Sequence, residues 1–179
     1  LETTAEWFRQ LWGESLGKRR PDGRPAGQTP VRCVGSTDQH SMQQLLVEGP
    51  PDKAALVLAA PCARDAAVPA DAGEPVAGRG LLEVLEAMRR ATSGAWVGAG
   101  CPVATLTLKD RSERSVGALL MTLMLTTVLA GRLLEVDPFG QPGVEAAKAA
   151  AAELLRDPGG ERDREISAAL GEGSGVVVD

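Results

Sequence analysis

Three side chains of the 179-residue sequence could move protons on a small polar substrate. Glu14 lies near the end of an amphipathic segment, His40 is the single histidine, and Lys148 lies in a predicted helix, seven residues after Gln141. A carboxylate in a dehydrated pocket can act as a general base, and a near-neutral imidazole can shuttle a proton. An ammonium group can stabilise a developing oxyanion. These residue types therefore suit acid–base chemistry.

Each of these residues also has an ordinary structural interpretation. Glu14 fits a solvated carboxylate near a helix end, and a single histidine is often structural. Glu145 lies three residues before Lys148, so an ion pair on a helix surface accounts for this lysine equally well. Lys18 fits a solvated surface lysine and is not a predicted catalytic residue. Residue types alone leave both interpretations open.

Three short segments carry a more specific pattern. Residues 12–18 read WGESLGK, residues 35–41 read GSTDQHS, and residues 137–145 read DPFGQPGVE, with Lys148 after them. Each resembles a signature of the glucose-6-phosphate isomerase family, and the three occur in the family's order. One such motif would be a weak signal, but three in order are not expected by chance. The resemblance covers about residues 5–156.

The resemblance implies reversible isomerisation of D-glucose 6-phosphate and D-fructose 6-phosphate through a cis-enediol, with no metal and no other cofactor. It implies that Glu14 is the general base, that His40 and Lys148 open the sugar ring, and that Gln141 contacts the substrate. In this family the histidine of the second motif reaches the active site of the other subunit. A homodimer with a shared active site is therefore expected.

The resemblance also implies that the chain is the C-terminal portion of a longer enzyme. The family's phosphate-binding Ser/Thr loop lies in a preceding, N-terminal domain, and residues 1–179 contain no equivalent loop. The isolated portion is therefore expected to be weak or inactive. The alternative is a non-catalytic module of sugar-isomerase (SIS) type that binds a sugar phosphate or promotes oligomerisation.

Two positions depart from the family pattern. Gly140 stands where the family usually has aspartate before the glutamine, which is expected to loosen the loop before the following helix. Ala147 replaces a glycine often found before the lysine, a change that costs little. Neither departure alters a proposed catalytic atom.

Hydrophobic periodicity and turn residues predict the elements that position these side chains. Helices are predicted at about 5–17, 39–47, 80–97, 113–136, 142–155 and 164–170, and strands at 31–34, 54–60 and 102–108. This alternation predicts an α/β fold. The resemblance specifies a three-layer αβα sandwich with a parallel sheet, SIS-like and incomplete relative to the full-length family. One domain is expected at 1–156, with a C-terminal helix and frayed tail at 157–179.

Composition excludes several classes of partner. A net charge of −5 argues against broad nucleic-acid binding. Three cysteines without CxxC spacing and a single histidine predict neither a disulfide framework nor a zinc site, and favour a cytoplasmic protein with reduced, buried thiols. The apolar run at 116–129 is shorter than the roughly 20 residues of a membrane span. It is therefore predicted to be a buried helix, and no membrane partner is expected.

Overall fold

The computed structural model describes residues 1–62 and 64–172. The chain divides into two compact units, Leu1–Pro138 and Phe139–Asp179. The expected frayed tail after residue 172 lies outside the described residues. The predicted division after residue 156 stays a prediction.

The first unit contains five of the described helices and both of the described strands. In chain order they are α1 (Glu2–Leu16), α2 (Thr37–Ser41), α3 (Gln43–Glu48), β1 (Ala55–Ala59), α4 (Leu81–Gly98), β2 (Val103–Thr107) and α5 (Glu113–Leu133). The second unit contains α6 (Pro142–Arg156) and α7 (Glu161–Glu172). The helix predicted at 39–47 is thus two short helices that meet at Met42.

The sheet pairs β1 with β2 in parallel, from Ala55 opposite Val103 to Ala59 opposite Thr107. Since α4 connects the two strands along the chain, they form a β–α–β arrangement. The α/β class and the parallel pairing predicted from sequence are therefore confirmed.

The strand predicted at 31–34 is wrong: this segment belongs to no strand in the described structure. Its backbone bonds locally instead. The Val34 N–H donates to the Asp38 carboxylate (2.7 Å), and the Val34 carbonyl accepts the Asp38 N–H (2.8 Å). Val31 is 64% exposed, so the short apolar run is not covered as a buried strand would be. The segment serves as the lead into α2.

The core of the first unit forms where α1 packs against α5. The buried residues of α5 recur every four positions: Leu119, Leu123, Thr127 and Gly131. This spacing places them on one stripe of the helix. The Thr127 hydroxyl donates to the Leu123 carbonyl (2.9 Å), which satisfies the polar group within the stripe. Leu16 of α1 is fully buried as well.

Only this stripe of α5 is buried, so the prediction of a buried helix at 116–129 is correct for one face. Apolar side chains on the rest of the helix are exposed, including Met121, Leu125, Leu129 and Leu133. By length and composition α5 could cross a membrane, but core helices of soluble proteins share these properties, so the observation is weak evidence.

Gly131 is the point at which Pro138 lies against α5. A Cβ atom at this position would lie 3.1–3.2 Å from the Cβ, Cγ and Cδ atoms of Pro138. A Cβ atom on Gly117, in the same helix, would meet nothing within 4 Å. Two glycines of one helix therefore differ in their surroundings: Gly131 is buried against Pro138, and Gly117 is exposed.

We expect Gly131→Ala to lower the free energy of unfolding by about 1–3 kcal/mol, because the methyl group overpacks against Pro138. Gly117→Ala should instead raise it by about 0.5–1 kcal/mol, since alanine favours an exposed helix interior. Urea unfolding of the two variants checks both signs. A stabilised Gly131→Ala variant would contradict the close packing of α5 on Pro138.

The N-terminus of α5 is fixed by hydroxyl and carboxylate groups. Ser112 is the N-cap, and its Oγ accepts the N–H of Ser115 (3.2 Å), as predicted for a capping serine. Asp110 Oδ1 accepts from the hydroxyls of Ser112 and Ser115, at 2.6 Å each, and from the Ser112 N–H. These donors lower the pKa of Asp110 from 3.8 to about 2.

A lowered pKa makes the contribution of Asp110 pH-dependent. The ionised carboxylate stabilises the folded state fully above pH 3.8, and this stabilisation is lost as the pH falls through about 2. Asp110→Asn should therefore be less stable than the wild type at pH 5, and the difference should shrink at pH 2. Urea unfolding at both pH values measures it, with Asp71→Asn in an exposed turn as control. A difference that does not change with pH would refute this role.

Candidate active site

Glu14 lies in the last turn of α1, a helix that packs on α5. Its side chain is half-buried, and Gln10 Nε2 donates to its Oε1 at 2.9 Å. The helix ends at Gly17 as predicted, and the Gly17 N–H donates to the Gly13 carbonyl. A carboxylate that is half-buried and oriented by a neighbouring amide is consistent with a general base.

The loop at 18–30 folds back on the end of α1. The Trp12 indole N–H donates to Gln28 Oε1 (3.2 Å), and Pro30 lies 3.7 Å from the position a Cβ atom on Gly13 would take. Gly27 has φ +96°, and a Cβ atom there would lie 2.5 Å from the Leu16 carbonyl oxygen. The loop therefore contacts residues of α1 that precede Glu14 and a residue that follows it.

Lys18 joins the first motif to the third. Its Nζ donates to the carbonyl oxygen of Asp137 at 2.5 Å, and the side chain is half-buried. Lys18 is thus a partly exposed lysine whose ammonium group is bound to the backbone rather than fully solvated. From the sequence, only the place of Lys18 in the motif at 12–18 could have drawn attention to it. The contact itself had no sequence signal, because residue 137 is far away along the chain.

His40 is exposed in the short helix α2. Its neighbour Asp38 is turned to the backbone: Asp38 Oδ2 accepts the Val34 N–H, and Oδ1 accepts the Ser41 hydroxyl (3.1 Å). Asp38 thus holds the loop and the helix together. Neither of these bonds orients the imidazole.

Gln39 lies against the loop that precedes α2. Its Nε2 lies 3.2 Å from the position that a Cβ atom on Gly35 would take, so a larger residue at 35 would displace the amide. Its Oε1 is buried and accepts no hydrogen bond from the residues that the structure describes. Such an oxygen is commonly satisfied by an ordered water.

The second unit holds Gln141 and Lys148. Gln141 is the exposed N-cap of α6, and its carbonyl oxygen accepts the N–H groups of Val144 and Glu145 (3.1 Å each). Pro142 follows in the first turn of the helix, as predicted. Gly140 has φ +72°, a conformation that glycine adopts without the steric cost of a Cβ atom. This is a local reason for glycine where the family has aspartate.

Lys148 forms the ion pair that its spacing suggests. Its Nζ lies 2.9 Å from Glu145 Oε1, and both side chains are 67% exposed. Exposed pairs of this kind contribute little to stability, so this ion pair gives Lys148 no strong structural role. A catalytic role for Lys148 stays a prediction.

The candidates therefore fall into two pairs, Glu14 with His40 in the first unit and Gln141 with Lys148 in the second. Within the described residues, no group of three or more His, Cys, Asp or Glu side chains could hold a metal ion. The three cysteines are free thiols, and Cys33 and Cys62 are exposed, so the prediction that all are buried is wrong.

The parallel β–α–β unit with packed helices makes this an α/β protein, and its candidate side chains suit acid–base chemistry on a polar substrate. No family model matches the chain. A crystal structure of a hypothetical protein from Thermus thermophilus superposes on it with a TM-score of 0.79. The two are 36% identical, and the match covers 87% of this chain and 39% of the other.

Curated relatives are similar to most of this chain. The chain is 45% identical over 160 residues to a probable glucose-6-phosphate isomerase of Halobacterium salinarum, covering 87% of this chain and 36% of that protein. It is 43% identical over 166 residues to the glucose-6-phosphate isomerase of Rubrobacter xylanophilus, covering 89% and 37%. The chain is therefore homologous to a portion of glucose-6-phosphate isomerase, and it spans little more than a third of the length of these relatives.

Proposed function

We propose that this chain contributes the proton-transfer residues of a glucose-6-phosphate isomerase. The observation that carries the proposal is the homology over 87% of the chain to proteins of that name. Three of the four candidate side chains come from the segments 12–18, 35–41 and 137–145, and the fourth, Lys148, follows the last segment. The segments occur in the family's order. The substrates would be D-glucose 6-phosphate and D-fructose 6-phosphate.

In the proposed reaction, His40 and Lys148 open the sugar ring by moving a proton from the anomeric hydroxyl to the ring oxygen. Glu14 then takes the proton from C2 of the open aldose, and the electron pair of that bond forms the C1=C2 bond of an enediol as O1 gains a proton. Glu14 returns its proton to C1 while O2 loses one, which yields the ketose. Gln141 holds the substrate during these steps.

The surroundings of Glu14 support its role as the base. The carboxylate is half-buried, Gln10 orients it, and the loop at 18–30 fixes the helix end around it. A general base must be held at a defined distance from the proton that it removes. Lys148, which is ion-paired with Glu145, would have to exchange that partner for a sugar oxygen.

We further propose that the active enzyme is a cytoplasmic homodimer in which His40 serves the site of the partner subunit. The exposure of His40 supports this arrangement, because an exposed imidazole is accessible to another chain. The phosphate group of the substrate would be bound by a part of the protein that residues 1–179 do not include. The isolated chain should therefore be weak or inactive, since remote binding energy is used at the reacting carbon.

The general base is tested by Glu14→Gln in the whole gene product that carries this sequence. Exchange of the substrate C2 hydrogen with solvent, followed by NMR, should slow by about 10²–10⁴-fold, because an amide cannot accept the proton. Glu6→Gln is the matched control: it lies in the same helix, and its carboxylate is exposed and paired with Arg9. Exchange at the wild-type rate in Glu14→Gln would show that the base is another residue. A wild-type gene product that catalyses no exchange would instead favour the non-catalytic binding module.

The shared site is tested by mixing His40→Ala subunits with Glu14→Gln subunits. If each site takes Glu14 from one chain and His40 from the other, a heterodimer has one site with both defects and one with neither. Mixing should then restore up to half of the wild-type activity per heterodimer. If heterodimers form, as shown by native mass spectrometry, and stay inactive, each site draws both residues from one chain.

A further inference from the structure

The segment that follows α5 is held at three points in succession. Val136 is 7% exposed, and its N–H donates to the Gly131 carbonyl (2.9 Å). The Asp137 carbonyl accepts the bond from Lys18 Nζ, and Pro138 lies against Gly131. Two of these contacts come from α5 itself, whereas the Lys18 bond comes from the end of α1.

Lys18 is itself attached to the core. Its backbone N–H donates to the carbonyl of Leu16 (2.8 Å), which is fully buried, and its carbonyl accepts the N–H of Ala26 (2.8 Å). The ammonium group therefore extends from a fixed backbone. A hydrogen bond from a charged donor is shorter and stronger than a neutral one, so this contact defines the position of the Asp137 carbonyl well.

We propose that Lys18 is a positioning residue for the reaction: its bond to the Asp137 carbonyl fixes the start of the segment that carries Gln141 four residues later. This inference rests on the proposed function. The bond runs between the two motifs that supply the base and the substrate contact, and it originates four residues after Glu14. Loss of the bond would free the Asp137 carbonyl and so change the backbone orientation from which the segment continues to Gln141, whereas the contacts of Val136 and Pro138 with α5 would keep the fold intact.

The kinetic test compares Lys18→Met, Lys18→Arg and Lys109→Met in the whole gene product. Methionine keeps the length of the side chain without a donor, arginine keeps a charged donor, and Lys109 is an exposed lysine used as control. We expect kcat/KM to fall by about tenfold or more in Lys18→Met, because small displacements of contact groups are costly in catalysis. Lys18→Arg should recover most of it, and Lys109→Met should match the wild type.

The melting temperature separates positioning from stability. The positioning role is supported if Lys18→Met lowers kcat/KM, its melting temperature equals that of Lys109→Met, and Lys18→Arg restores kcat/KM. If activity falls only as far as the folded fraction falls, or if arginine fails to rescue, Lys18 has a merely structural role and the inference is wrong. Unchanged activity in Lys18→Met also overturns it.

A second readout on the 179-residue chain does not require activity. The sequence contains two phenylalanines, Phe8 and Phe139, so ¹⁵N-phenylalanine labelling gives two amide signals. Phe139 has the first N–H after Asp137, because Pro138 has none. Lys18→Met should shift the Phe139 signal and leave that of Phe8 in place, and Lys18→Arg should restore it. An unmoved Phe139 signal would overturn the inference, whereas a wild-type gene product that does not isomerise would refute the proposed function independently.

Discussion

The packing of α1 against α5 is the interaction on which the first unit depends. It buries Leu16 on one helix and the Leu119-to-Gly131 stripe on the other. The four-residue repeat gives a straight, narrow contact, and the absence of a side chain at Gly131 lets Pro138 approach the helix. Glu14, Lys18 and Asp137 all lie within a few residues of this contact, so it determines where the segment at 12–18 ends and where the segment at 137–145 begins.

The site residues differ in how firmly the fold holds them. Glu14 is on a long helix with a packed face and an amide partner, and the loop at 18–30 returns to the same helix end. His40 is on a five-residue helix whose bonds run through Asp38. A base that must meet a particular C–H bond requires tighter placement than a group that shuttles a proton to exchangeable hydroxyls. The structure is consistent with this division of roles.

The elements predicted correctly are those with strong local signals. β1 and β2 are continuous apolar or β-branched runs bounded by turn residues, and α5 begins after Ser112, a residue type that commonly caps helices. The segment at 31–34 is too short for periodicity to identify its structure, and its backbone bonds to Asp38 rather than to a neighbouring strand. The bond from Lys18 to Asp137 depends on how α1 and α5 pack, which no local pattern encodes. The partial exposure of α5 has no local signal for the same reason.

The positions of Gly140 and Lys148 illustrate what local rules can and cannot provide. The positive φ of Gly140 follows from its place in a turn before a helix, and the Lys148–Glu145 pair follows from helical spacing. Neither rule indicates which side chains face a substrate. The candidates were chosen from the order of the three motifs, and the chain is homologous to proteins more than twice as long.

The central claim is tested most directly by supplying the whole gene product that carries this sequence with glucose 6-phosphate labelled with ¹³C at C1. NMR should show the label appearing at C1 of fructose 6-phosphate until the two sugars reach equilibrium, and the reverse when fructose 6-phosphate is supplied. If the folded wild-type protein leaves the label in the aldose at the rate of buffer alone, the protein is not a glucose-6-phosphate isomerase and the roles proposed for Glu14, His40 and Lys148 are wrong.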